Sequence, residues 1–366
     1  MKNSIGNSVI LTLAGESHGE MVCAVLDGFA PGVPVDEAFI ARLLSLRRPS
    51  GPAETARREK DAFRIVSGVF EGRTTGAPIT ILIPNEDARS ADYEPLRGIA
   101  RPSHADYTAH VKYAGFEDPR GGGHFSGRIT AGIVAAGAIA LSALERKGIK
   151  VGTHIDSCCG ISDTPFEDLD SAVLAAQIDK VNSRPFPVLA DVQEAMEAGI
   201  LAAKADGDSV GGVVQTAIAG LPAGVGEPWF GSLEGALSNA LFSIGGIKGV
   251  EFGSGFALSN KKGSQAADEL RSAGGSVRTL ANHNGGINGG ISNGMPVLLR
   301  AAVKPTPSIA KPLRTVGLLT GEETSVSATG RHDPAIVRRI CIVVTSLVAI
   351  VLCDMLALRF GTDYLR

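Results

Sequence analysis

Residues 15–19 read Gly15-Glu16-Ser17-His18-Gly19 and follow the apolar run 9–14, so a hydroxyl and an imidazole sit between glycines at the end of a strand. An imidazole that titrates near neutrality can hand a proton to a departing phosphate. Two further clusters have the same character. Arg101-Pro102-Ser103-His104-Ala105-Asp106-Tyr107-Thr108 places an imidazole ahead of a helix expected from near Ala105, with Ser103 or His104 as its cap. Gly330-Arg331-His332-Asp333-Pro334 sets a fixed cation, an imidazole and a carboxylate before a long apolar segment. Singly, each has a plain structural explanation: a histidine closing a turn, a cap with a solvated ring, an aspartate capping a helix. Three such clusters, spread from residue 15 to residue 334, instead imply that the whole chain folds to build one pocket.

Anion-binding chemistry is distributed in the same way. Arg120-Gly121-Gly122-Gly123-His124-Phe125-Ser126-Gly127-Arg128 precedes a nearly uncharged helix, and backbone N–H groups at a helix N-terminus suit phosphate. Lys304-Pro305-Thr306-Pro307-Ser308 offers a cation and two hydroxyls after a strand, with Gly289 in a glycine-rich turn upstream. Arg47 and Arg48 close a helix, where cations also favour the helix dipole. The sequence has no G-x-x-x-x-G-K-[ST] loop, no zinc-type histidine spacing and no strand-linked G-x-G-x-x-G with an acidic residue downstream. Kinase, metallohydrolase and dinucleotide-domain dehydrogenase readings lose ground accordingly, and no metal site is expected.

The 366 residues are 44% hydrophobic, enough for a sizeable core. Motifs near both ends favour one domain over 1–366. The 46 glycines are nearly twice the usual share and cluster at turns, where backbone can approach a ligand closely. A formal charge of −3 provides no general field for nucleic acid or anionic membranes, so an anionic ligand must be drawn by local Arg and Lys. Five cysteines at 23, 158, 159, 341 and 353 form no C-x-x-C pair and read as reduced core residues of a cytoplasmic protein. The N-terminal apolar run is too short for a signal sequence. The charge-free run 340–353 has 14 residues, fewer than the roughly 18 to 20 that span a bilayer, and reads as a buried helix.

The elements that must position these residues follow from periodicity and punctuation. Strands are expected near 9–14, 21–27, 62–70 and 78–84, the last two forming a hairpin through residues 71–76, and again at 150–156, 210–219, 250–257 and 295–303. Asp36 caps a helix with apolar residues at 39, 40, 43 and 44; further helices are expected at 128–145, 191–204, 232–243 and 334–359. Strands and helices mix without regular βαβ alternation, which favours an α+β fold over a doubly wound parallel sheet. A weak echo links residues 76–81 to residues 294–299, a pattern compatible with, but not enough to establish, an internal duplication.

Together these segments resemble chorismate synthase of the bacterial type, from the first residues to the C-terminal helix. Besides the clusters above, the resemblance is carried by Arg47-Arg48-Pro49, Ser67-Gly68-Val69-Phe70-Glu71-Gly72 and Ile247-Lys248-Gly249-Val250-Glu251, in order and spacing. It implies helices sandwiched between antiparallel β-sheets, a homotetramer, and a lyase that converts 5-enolpyruvylshikimate 3-phosphate to chorismate by 1,4-elimination. Such a reaction is redox-neutral yet needs reduced FMN, which in the family lends an electron and takes it back. Carried over by position, His18 is placed by the substrate phosphate, His104 contacts the flavin near N1 and the C2 carbonyl, and Asp333 exchanges a proton with flavin N5. Ser17 and Ser126 complete the catalytic set. His124, Phe125, Ser126, Gly289, Lys304, Pro305, Thr306, Pro307, Ser308 and Arg331 hold FMN, while Arg47 meets the anionic substrate or a nicotinamide cofactor's phosphate. Two departures stand out. His124 replaces an arginine of the commoner pattern, and an arginine expected near Pro52 and Ala53 is missing, with Arg57 and Arg58 as candidates to replace it. The alternatives are a non-catalytic flavin- or anion-binding protein, and a flavin oxidoreductase with a tight NADPH site. Whether the chain reduces its own flavin with NADPH or relies on an external flavin reductase stays open at this point.

Overall fold

The computed structural model describes residues 2–51, 53–54, 60–86, 98–327 and 333–366. Two five-stranded sheets enclose the long helices, and all pairings within them are antiparallel. The first sheet contains β1 (Ser4–Ile5), β2 (Ile10–Ala14), β3 (Met21–Asp27), β4 (Arg64–Ser67) and β5 (Ile79–Pro84) in the order β1-β2-β3-β5-β4. The second contains β6 (Lys150–Cys158), β7 (Ile161–Ser162), β8 (Gly212–Ala219), β9 (Ile247–Phe252) and β10 (Val297–Val303) in the order β9-β10-β8-β6-β7. The strands of the sequence echo, β5 and β10, each take the second place from an edge.

Between the sheets lie α1 (Glu37–Arg47) and α3 (Thr130–Arg146) on the side of the first, and α6 (Leu233–Ser243) and α7 (Val337–Phe360) on the side of the second. Helix α4 (Ser171–Asn182) covers the outer face of the second sheet, packing Leu174, Ile178 and Val181 against Ala217, Ala219 and Leu298. Two further helices are α2 (Asp106–Tyr113) and α5 (Gln193–Ala205), and Gly263–Ala266 adds a single helical turn. One hydrophobic core draws residues from both sheets and from α1, α3, α6 and α7. The antiparallel sandwich of the α+β expectation is therefore the observed architecture.

The helices form where local chemistry favours them. Asp36 Oδ1 accepts from Phe39 N at 3.0 Å and starts α1, which buries Ile40, Leu43 and Leu44. Helix α3 crosses α7 at Gly137, where a Cβ would lie 2.4 Å from Ser346 Cβ; only glycine permits this approach. Helix α7 has 24 residues, long enough by length to cross a membrane, but its apolar window is wholly buried. The run 340–353 is thus the middle of a longer core helix.

Several boundaries differ from expectation. The 62–70 strand breaks at Gly68: β4 pairs with β5, while Val69–Phe70 pairs with Arg73–Thr74 at the hairpin tip. The strand expected over 250–257 begins at Ile247 and ends at Phe252, and residues Gly255–Asn260 turn as a 3-10 helix. Helix α2 starts after Ala105 with no side-chain cap, so neither Ser103 nor His104 caps it. Helix α7 likewise starts after Ile336 without a side-chain cap, so Asp333 has another use.

Candidate active site

The turn at residues 15–19 and the glycine loop Arg120–Phe125 are zipped together. Gly121, Gly122 and Gly123 have φ of 60°, 88° and 53°, and the Gly123 carbonyl accepts from Ser17 N at 3.0 Å. His124 Nδ1 donates to the Gly15 carbonyl at 2.9 Å, and the Ser126 hydroxyl donates to Ser17 Oγ at 3.1 Å. His18, buried, rests against Gly121, where a Cβ would come within 2.5 Å of its ring. Asn85, just after β5, braces the turn from the other side by donating to the carbonyls of Glu16 and Gly19 at 3.0 and 2.8 Å.

Beneath this loop lies a cavity of about 720 Å³. One wall is apolar, formed by Leu11 and Leu13 of β2, Ile129 and Ile133 around the start of α3, and Ile340 and Val343 of α7. Polar groups line the same cavity: His104, His124, Ser126, Lys304, Thr306 and Asp333. Phe125, Pro305, Pro307, Ser308 and Arg47 also line it, with Gly127 and Thr130 at the electropositive start of α3. Lys304 Nζ donates to the Ser103 carbonyl at 2.5 Å, tying the 304–308 segment to the His104 loop, where Ser103 has a φ of 60°. The Asp333 carboxylate pairs with the Arg339 guanidinium, and its carbonyl accepts from Thr306 Oγ1 at 2.7 Å.

Arg47 is anchored from behind. Its Nη2 lies 2.8 Å from the fully buried Asp61 carboxylate, which also pairs with Arg128. One carboxylate thus serves two guanidiniums. Arg128 in turn donates to Asn85 Oδ1 at 2.8 Å and to the Pro84 carbonyl at 2.9 Å, linking the cation cluster to the brace on the Ser17-His18 turn. Arg47 Nε is buried without a hydrogen-bond partner among the described residues.

The structure thus brings together His104, Ser126, Asp333, Arg47, the 124–126 segment and the 304–308 segment. Ser17 and His18 stand next to Ser126 but do not themselves line the cavity. Gly289 does not join them: it is in the exposed turn of the Ile287–Asn288 and Ile291–Ser292 hairpin. Arg331, Pro52, Arg57 and Arg58 lie outside the described residues. Sequence reasoning passed over Asp61, Asn85 and Arg339, and also Lys2 and Asn239, which line the cavity. Asp106 was visible inside the quoted cluster, two residues from His104, but its use was not. Among the described residues no group of His, Cys, Asp and Glu could hold a metal ion.

Comparison with known proteins points the same way. A family model described as chorismate synthase matches residues 9–357. The chorismate synthase of Aeropyrum pernix is 45% identical over 359 residues, covering 98% of this chain and 93% of that relative. That of Dehalococcoides mccartyi is 45% identical over 362 residues, covering 99% and 98%. A crystal structure of chorismate synthase superposes with a TM-score of 0.76 at 30% identity, covering 98% of this chain and 94% of the other. Motifs, architecture and near full-length similarity agree, and the chain belongs to the chorismate synthase family.

Proposed function

We propose that this chain converts 5-enolpyruvylshikimate 3-phosphate to chorismate and phosphate by 1,4-elimination, with reduced FMN held in the central cavity. The observation that carries this reading is the convergence of His104, Ser126, Asp333, Arg47 and the 304–308 segment on a single cavity of about 720 Å³. Its lining suits the cofactor: apolar side chains for a planar aromatic ring, and Lys304, Thr306 and Ser308 for polar and anionic groups. When bound, reduced FMN supplies a transient electron that an elimination with an unactivated C–H bond requires.

The protein's own part is binding, orientation and proton supply. Arg47, already paired with Asp61, keeps a buried Nε–H unused and draws a substrate anion. His18 gives a proton to the leaving phosphate from just behind the cavity wall, where its neighbour Ser17 is bonded to the wall residue Ser126. His104 faces the negative charge of the reduced ring, and Asp333, oriented by Arg339, holds the proton exchanged at N5. His124 and Arg331 join the FMN contacts. Gly289 can do so only if its hairpin meets a neighbouring subunit. The enzyme acts in the cytoplasm as a homotetramer: its five cysteines are free, and Trp229 and Phe230 are 85% and 103% exposed, apolar surface that assembly would cover. The flavin is reduced by NADPH or by an external flavin reductase.

An anaerobic assay with photoreduced FMN and substrate tests this reading. Phosphate release without net flavin oxidation is expected. Binding of both ligands with no phosphate release would make the chain a flavin- and anion-binding protein, and stoichiometric flavin oxidation would make it an oxidoreductase.

A further inference from the structure

His104 Nδ1 lies 2.6 Å from Asp106 Oδ1 and 3.1 Å from Arg101 Nη2. A guanidinium only donates and a carboxylate only accepts, so one ring nitrogen cannot hydrogen-bond to both at once. The shorter contact decides: a proton sits on Nδ1 and points at Asp106. Every other acceptor site of that carboxylate is taken by Arg101. Oδ1 is 2.8 Å from Nη2, while Oδ2 is 2.7 Å from Nε and 3.0 Å from the Arg101 backbone N. Burial alone would raise the Asp106 pKa, but the hydrogen bonds from Arg101 and His104 outweigh it and hold the carboxyl well below the usual range. It stays an ionised acceptor while His104, with a side chain 18% exposed, lines the cavity.

We propose that Asp106 is a positioning residue: clamped by Arg101, it fixes His104 with its proton on Nδ1, so that Nε2 is the nitrogen offered to the cavity and the one through which proton traffic runs. This rests on the reading of His104 as a group that meets the bound ligands. A ring nitrogen's partner sets which tautomer is present, and an isosteric change in that partner can reverse it.

Asp106→Asn makes the reversal specific. With the amide oxygen in place of Oδ2, it still accepts from Arg101 N and Nε, and only the amide nitrogen's approach to Nη2 is unfavourable. The flipped amide would set its NH2 against both of those donors. The first orientation wins, and its N–H then faces His104 Nδ1, forcing a neutral ring to carry its proton on Nε2.

The test is nitrogen NMR of histidine-labelled protein, with the His104 signals assigned by comparison with His104→Gln, across a pH series. In the wild type Nδ1 should remain protonated at every pH. In Asp106→Asn the neutral ring should have a bare Nδ1, and kcat should fall roughly 10- to 100-fold with KM within a few-fold. A bare Nδ1 in the wild type overturns the proposal, and that measurement does not require Asp106→Asn to fold. A reversed tautomer with unchanged kcat also overturns it, because the tautomer would then have no bearing on the reaction. Should the wild type show no lyase activity at all, the proposed function fails while the tautomer result stands or falls separately.

Discussion

Asp354 Oδ1 accepts the backbone N–H of Ser8 at 2.6 Å, joining the far end of α7 to the turn that leads into β2. The same carboxylate accepts from Asn7 N and Val9 N, so a buried charge at the end of the helix's long apolar stretch closes three backbone donors that the first sheet leaves open. Because a buried donor left unmade costs its full desolvation, Asp354→Ala should lower stability by about 3 kcal/mol. Asp354→Asn should cost less, since one acceptor remains. Urea unfolding of the two variants checks this; a loss below about 1 kcal/mol for Asp354→Ala would mean that water takes over the donors.

Asp61 is the counter-charge of both Arg47 and Arg128. Removing one member of a buried pair costs the partner its counter-charge, and here Asp61→Ala takes one carboxylate from two buried guanidiniums at once, so a loss of about 3–5 kcal/mol is expected. The vacated place should then accept an inorganic anion. Thermal unfolding with and without phosphate should show a larger rise in Tm for Asp61→Ala than for the wild type. Equal rises would show that the two guanidiniums do not form an anion site.

These two carboxylates mark where the sequence stopped being readable. The cap at Asp36, the core helices and the β4–β5 hairpin were legible because their signals are local. Helix α4 was legible too, since Asp170 accepts from Ala172 N and Val173 N ahead of apolar residues at 174, 178 and 181, but it was passed over. Asp61 carried no local signal: its role exists only once α1 and the segment before α3 bring Arg47 and Arg128 to it. Asp333 and the Ser103-His104 pair looked like caps because cap residues and site residues are the same types. Their partners, Arg339, Lys304 and Asp106, decide between the two uses. Of the candidate site, the cavity-lining motifs were visible as chemistry, whereas their bracing by Asp61, Asn85 and Arg101 was not.

Gly121 has a φ of 60°, and a Cβ there would lie 2.5 Å from the His18 ring and 3.1 Å from Ser17 Oγ. Gly121→Ala must therefore push the imidazole out of place without removing it. If His18 supplies a proton to phosphate, turnover should fall roughly 100-fold, as for loss of a positioned general acid. His18→Ala should fall as far, and the double variant little further, since both remove the same function. Additive losses in turnover would separate the glycine from the histidine.

The Asp106 carboxyl is held below its ordinary pKa in the folded chain, where hydrogen bonds from Arg101 and His104 overcome the effect of burial. A group whose folded pKa is depressed contributes stability that is present above its unfolded value, about 3.9, and lost as pH falls through the folded one. The stability difference between the wild type and Asp106→Asn should therefore be level above about pH 5 and shrink below about pH 4. Denaturant midpoints across that range measure it. A difference that grows on acidification would mean that Asp106 is not an ionised acceptor.

Burial pushes the Cys158 thiol up to about 12, with its neighbour Cys159 adding to the effect; burial raises Cys341 further despite Arg338, and raises Cys353 further with the Asp354 charge adding to it. Thiolate is the reactive species, so at pH 8 these three should resist iodoacetamide in the native protein. All five cysteines should label once the chain is unfolded in urea. Cys353 is the sharpest probe, because it sits inside α7 with its thiol directed at the Ala140 carbonyl of α3. Labelling there under native conditions, at a rate that tracks the unfolding of neither sheet, would show that α3 and α7 separate locally. The wall of the cavity built from those helices would then be a moving part.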